Sequence, residues 1–430
     1  MKKLIISFAL ALGITAFAAA QTTDVSGTIR TTDGTPIAGV VVTDGHTVVA
    51  TDAEGKYAFN RHEEAAYVYY SIPAEYRVPL RQGHPCFYKK LTDDKVYDFV
   101  LQPLKGGKES NFRLVMVADP QCQNLRHVYR FHSETAPDLK KTAKKTKTPI
   151  YAVSLGDIVY SEGPRNANYL MPMIKEEMRA DNIGMPMFQT IGNHDCDYEP
   201  VAIGARNSTP TVRLQRMFEA TFGPIDYSWN RGDVHIVSMN DIIYDDIKNF
   251  KKYHGDFTDE QVEWLRKDLS YVSKDKMVIL CVHIPLENMR KSKNVQTVLA
   301  MLAEFAESKI MSGHTHYTQR FTHSNGITSI FSVLHRAAGG GAITTVTEHL
   351  TATVCSMFRA IRLSITATRA QVTTSTTSCA SIAEMLSLVV STSSQHSHLV
   401  PIRFWQMYGL QIRIGRLSSM RMASTQAICS

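Results

Sequence analysis

The chain has 430 residues and a mass of 48.1 kDa, enough for two or three domains with apolar cores, and its 44% hydrophobic content excludes a disordered chain. Its net charge of +7 and pI near 8.9 suggest a nucleic-acid partner, but from Arg336 onward eight arginines stand against two glutamates and hold +6 of that charge. The body of the chain is therefore near neutral, and no basic surface for nucleic acid is implied.

In chain order, residues 1–20, MKKLIISFALALGITAFAAA, join two lysines to a short apolar run and to small residues at Ala18 and Ala20. That is the pattern of a secretory signal peptide, too short and wrongly flanked for a membrane anchor. No later apolar run is long enough to span a bilayer, so the expectation is a soluble protein in a periplasm or outside the cell. Residues 22–104 alternate short β-branched and aromatic runs with Asp-Gly and Glu-Gly turns, which predicts a small all-β sandwich. The pattern GTPIAGVVVTDG, followed by TDAEGKYAF, resembles carboxypeptidase-regulatory or transthyretin-like domains. That resemblance implies a spacer, a docking surface or a cover without catalytic residues. The Gly- and Lys-rich QPLKGGKESN predicts a linker.

From Phe112 the texture changes to nearly continuous apolar runs: FRLVMVAD, IYAVSLGD, MPMFQTIGNHD, VHIVSMND, KMVILCVH and SKIMSGH. These predict strands buried on both faces of an α/β sheet, separated by helices such as TDEQVEWLRKDLSYV, where Thr258 and Gln261 make a capping box. The runs end in Asp119 with Gln121, in Gly156-Asp157, in Gly192-Asn193-His194-Asp195, in His283 and in Gly313-His314-Thr315-His316. Each cluster alone is a weak signal. Together, at the carboxyl ends of successive strands where an open sheet forms its crevice, they offer carboxylate, imidazole and amide donors suited to divalent Mn, Fe, Zn, Ni or Mg. Glycines before Asp157, Asn193 and His314 leave room for tight turns, and Asp119 and Gln121, two apart on an extended chain, are expected to face one ion.

This ordered set resembles the calcineurin-like metallophosphoesterases, over residues 112–335, whose signature is D-x-H, G-D, G-N-H-D/E, H and G-H-x-H. The resemblance implies a four-layer α-β-β-α core and a binuclear site with two divalent ions. Asp157 would bridge them, Asp119 and His316 would hold the first, and Asn193, His283 and His314 the second. Gln121 stands where the family has histidine, a neutral and weaker ligand that would favour a harder ion or a water-completed shell. The implied chemistry is attack on a phosphate-ester substrate by a hydroxide bridging ions about 3.5 to 4 Å apart. His194 would protonate the leaving oxygen, and Asp195 would orient its imidazole. Arg165 and Asn166 are weaker candidates for a phosphate contact, and Trp229 and His235 read as structural.

Residues 336–430 contain no lysine, aspartate or asparagine and have no regular period. They form an unassigned tail, read either as a Ser/Thr-rich surface segment or as the product of a shifted reading frame. Cys86, Cys122, Cys196 and Cys281 lack zinc-ribbon spacing and read as packing residues, with Cys122 and Cys196 near one another. The alternative to an exported phosphoesterase is a catalytically impaired metal-binding or surface-interaction protein, with Gln121 as the lesion.

Overall fold

The computed structural model describes residues 23–160, 166–197, 209–249, 251–316, 319–331, 346–351 and 364–365. The signal segment, Arg165 and most of the tail lie outside these residues. Among those described, no helix is long and apolar enough to cross a membrane.

The N-terminal part is a sandwich of two small sheets. Lys56–Phe59, Val25–Thr31 and Phe99–Leu101 form one, and Val48–Ala50, Val41–Thr43, Tyr67–Tyr70 and Tyr88–Lys90 form the other. In Val25–Thr31 the apolar Val25 and Ile29 face the core, as the period of two requires.

The larger part holds two sheets. The first runs in the order Met187–Thr190, Ile150–Leu155, Asn111–Val117, Val346–Thr351, Ser364–Ile365, with its first three strands parallel. Val346–Thr351, beyond residue 335, pairs antiparallel with Asn111–Val117, so this sheet includes a strand from the segment that sequence left unassigned. The second runs Tyr227–Arg231, Val234–Ser238, Met277–Cys281, Glu307–Ser312, Thr328–Phe331, Gln319–Thr322. Its four inner strands are parallel and its two edge strands antiparallel.

Strand alternation builds the four layers expected from the sequence. Phe112, Leu114 and Met116 of the first sheet meet Ile236, Ile279 and Met311 of the second in one apolar cluster between the sheets. The intervening Val115 and Val117 pack outward on Val128, Phe131, Leu139 and Ile174 from the helices over the first sheet. Val237, Val278 and Leu280 pack outward on Val262, Leu265, Val295 and Leu302 of helices Asp259–Leu269 and Lys293–Leu302. Helix Asp259–Leu269 opens with the predicted capping box between Thr258 and Gln261.

Trp229 is fully buried and stacks on Phe188 with ring centroids 4.0 Å apart, and Tyr227 Oη donates to the Gln189 carbonyl at 2.9 Å, so the two sheets are keyed together at one end. The sandwich joins the same cluster. Phe87 lies 5.1 Å from the Tyr227 ring, Ile72 bridges Trp229, and the Asn230 amide donates to the Ile72 carbonyl at 2.9 Å. Removing the Trp229 side chain opens a large cavity at this junction. Trp229→Ala is therefore expected to lower the unfolding free energy by about 3–5 kcal/mol, read as a shift of the urea midpoint at constant slope. A loss below about 1 kcal/mol would mean the stack is not a keystone.

Candidate metal centre

The carboxyl ends of five strands meet at one edge of the double sheet. Asp119, Asp157 and Asn193 follow strands of the first sheet, and His283 and His314 follow strands of the second. The site thus straddles the seam between the sheets.

Two three-residue groups have ligand atoms within 4.8 Å of one another: Asp157, His283 and His314, and Asp119, Asp157 and His316. Asp157 belongs to both. His283 Nδ1 lies 2.8 Å from the Leu155 carbonyl, which can only accept, so Nδ1 carries a hydrogen and Nε2 faces the cluster. That Nε2 lies 3.0 Å from Asn193 Oδ1 and 3.3 Å from Asp157 Oδ1. His314 Nδ1 lies 2.9 Å from Asn193 Oδ1 and 3.3 Å from His283 Nε2. Acceptor atoms crowded in this way require a cation or protons among them, and the donor set is one that divalent metals take. His283 sits at the centre of this crowding. Burial opposes its protonation, but the Asp157 carboxylate outweighs burial and lifts its pKa to about 10. Burial likewise opposes ionisation of Asp157, and His283 outweighs it and holds Asp157 well below the usual carboxylate range. Burial and the His283 charge push His314 down to about 4.

Gln121 joins the cluster. Its Nε2 donates to Asp157 Oδ2 at 3.1 Å and lies 3.2 Å from His316 Nε2. His316 Nε2 is 3.6 Å from Asp119 Oδ1. The extended backbone expected at Asp119-Pro120-Gln121 is not what brings these side chains together. Asp119 and Gln121 have φ of 50° and 43°, in the left-handed region, because the Gln121 and Cys122 amides donate to the Asp157 and Ile158 carbonyls and curl the segment onto its neighbour. Among the described residues six non-glycine residues have positive φ, and five are Asp119, Gln121, Asp157, His314 and His316. Each costs about 1–3 kcal/mol and persists only where the surroundings impose it, a pattern typical of functional sites.

The glycines serve close approach. A Cβ on Gly313 would sit 2.6 Å from Asp119 Oδ2, and one on Gly192 would collide with the Asp157 backbone nitrogen and carboxylate.

His194 lies at the rim. Its backbone amide donates to Asp157 Oδ1 at 2.8 Å and its ring stacks on Tyr160 at 4.2 Å. Asp195 was expected to orient that ring. Its carboxylate accepts from the backbone amides of Val159 at 3.0 Å and Gly192 at 2.9 Å, and so fixes the loops beneath Asp157. Burial, then the charge of Asp157, push its pKa to about 8.

Sequence reasoning missed two supports. Asp241 is fully buried, and its two oxygens accept from the His283 and Ile284 amides at 3.2 and 2.9 Å. Tyr244 Oη donates to the Asn193 carbonyl at 2.7 Å. Asp241 closes the strand run VHIVSMND and so carried a signal; nothing in the sequence around Tyr244 singled it out. Cys86, Cys122, Cys196 and Cys281 are joined by no disulfide among the described residues, and burial pushes the Cys122 thiol up to about 12.

Residues 23–104 match the family model for the N terminal of calcineurin-like phosphoesterase, and residues 112–318 match that for calcineurin-like phosphoesterase. The chain is therefore a calcineurin-like phosphoesterase with the N-terminal domain of that family, a metal-dependent hydrolase of phosphate esters. A comparison with curated proteins finds no match. Solved structures it resembles include a dimetal phosphatase from Danio rerio, at 16% identity over 56% of this chain and 93% of that one, TM-score 0.40. Others are a 5'-nucleotidase from Candida albicans, at 13% over 55% of this chain and 46% of that one, TM-score 0.33, and the NAD nucleotidase of Haemophilus influenzae, at 11% over 56% and 47%, TM-score 0.33. The chain spans about half the length of these nucleotidases.

Because Gly192 leaves no space for a side chain beside Asp157, Gly192→Ala is expected to cut manganese retained after dialysis at least tenfold while far-ultraviolet circular dichroism stays unchanged. Full retention would mean that the loop can give way.

Proposed function

We propose that the protein is an exported phosphoesterase whose site holds two divalent ions. Asp157 would serve both, Asp119, Gln121 and His316 would hold one, and Asn193, His283 and His314 would hold the other. The observation that carries this reading is the sharing of Asp157 by two groups of convergent donor atoms. When bound, such a pair supplies a nucleophilic water at neutral pH and offsets charge on the phosphoryl oxygens.

The chain's own residues do the rest. The Leu155 carbonyl fixes the His283 tautomer, and Asp241 holds the His283 backbone. The amide of His194, bonded to Asp157, keeps the His194 ring at the mouth of the site, where stacking on Tyr160 sets its plane. From there the imidazole can give a proton to a departing ester oxygen, a role worth roughly two to four orders of magnitude. Gln121 bears on the alternative of an impaired protein, since its amide nitrogen faces Asp157. Rotating that amide by half a turn puts Oε1 in the same place, and a neutral oxygen ligand there favours a harder ion. The substrate class is a phosphate ester; monoester and diester both suit this arrangement.

The deciding assay is hydrolysis of an aryl phosphate monoester and its diester with added manganese. Asp157→Asn is expected to abolish turnover and metal retention; activity unchanged by that substitution would overturn the reading. His194→Ala is expected to retain metal but to slow substrates with poor leaving groups about a hundredfold or more, and good ones much less. Equal losses across leaving groups would remove His194 from the acid role. Gln121→His is expected to tighten retention of the first ion about tenfold, scored by metal analysis after dialysis; no tightening would mean that Gln121 is not a ligand position.

A further inference from the structure

The geometry points to a second metal site, sharing no residue with the catalytic cluster and built across the junction of the two domains, in which His46, His62 and Glu260 take one divalent ion of the zinc class. One nitrogen of each ring and one Glu260 oxygen all lie within 4.8 Å of one another. His46 Nδ1 is 3.5 Å from Glu260 Oε2, close to the spacing of about 3.4 Å between neighbouring ligands on a tetrahedral zinc with bonds near 2.0–2.1 Å. The His46 and His62 rings lie face to face, centroids 3.6 Å apart and 17° from parallel, and because a ring nitrogen binds a metal in its own ring plane, one ring must rotate out of the stack to share an ion with the other. Two imidazoles and a carboxylate form a zinc donor set with a fourth position left for water.

This arrangement is held in place from beneath. The buried Asp44 carboxylate accepts from the amides of His46 at 3.0 Å and Thr47 at 2.7 Å through one oxygen, and from the amide of His62 at 2.8 Å through the other. One side chain thus fixes both histidine-bearing loops. The neighbouring Thr43 Oγ1 accepts from Trp264 Nε1 at 3.2 Å, on the same helix that carries Glu260. The sandwich supplies two donors and the catalytic domain the third, and the distance between them is set before any ion arrives. The Glu64 amide donates a long bond, 3.3 Å, to His62 Nδ1, so His62 meets an ion at that nitrogen only by giving the bond up. A cavity of about 590 Å³, lined in part by His46 and Glu260, provides the way in. An ion bound here staples the N-terminal sandwich to helix Asp259–Leu269.

The test is a zinc count by atomic emission, with thermal unfolding, on the full chain carrying Asp157→Asn to weaken the catalytic centre, with and without Glu260→Gln or His62→Ala. The Asp157→Asn protein is expected to bind one zinc that His62→Ala removes and Glu260→Gln weakens at least tenfold, and zinc is expected to raise its unfolding temperature only while this site is intact. Hydrolysis of the aryl ester by the otherwise unaltered Glu260→Gln protein should equal that of the parent. Equal zinc and equal unfolding temperatures with and without Glu260→Gln would overturn the site, whatever the catalytic centre does. Glu260 is a surface residue, so its variant keeps the test open if a histidine variant fails to fold.

Discussion

The structure is organised around one costly group, the Asp157 carboxylate. It is 1% exposed, and an unpaired charge at such depth would cost several kcal/mol. The surroundings offset that cost with polar contacts: the His194 amide donates to it, and the Gln121 amide and the His283 imidazole lie against it. These come from three separate strand ends on two sheets. Keeping Asp157 ionised therefore requires the sheets to lie in one register, and this ties the catalytic geometry to the packing of the whole double layer.

The same requirement explains the backbone strain. Five polar residues take up left-handed φ at strand ends where an extended chain would carry their side chains past the seam. They can be held there because the segments are pinned by backbone bonds such as Gln121 to Asp157 and by carboxylates such as Asp119, whose oxygens accept from the His314 amide at 3.1 Å. Asp195 and Asp241 act in the same way, as buried acceptors for loop amides. By holding those amides they determine where the ligand side chains sit.

The N-terminal sandwich is part of this rigid frame. Its aromatic residues continue the cluster between the sheets. Tyr67 Oη donates to the Glu219 carbonyl at 3.1 Å, and the Arg216 guanidinium donates to the Glu64 carbonyl at the same distance. A buried polar network of Ser71, Ser228, Asp268 and His235 crosses the same junction, with His235 Nε2 2.8 Å from Asp268 Oδ2. His235 and Trp229, read as structural from the sequence, serve here as interdomain fasteners.

Sequence alone located the six strands that carry polar tips and named the metal-site candidates, because apolar runs ending in Asp, Asn and His signal buried strands without help from distant residues. It also located the capping box at Thr258, which is a contact between neighbours. The tertiary structure decided what depends on residues far apart in the chain. Examples are the curl that brings Gln121 onto Asp157, the tasks of Asp195 and Asp241 beneath the loops, and the meeting of His46 and His62 with Glu260 about two hundred residues later. Periodicity and turn chemistry are local and can be read along the chain. The direction a carboxylate faces depends on which amides the fold brings to it, and no local pattern encodes that.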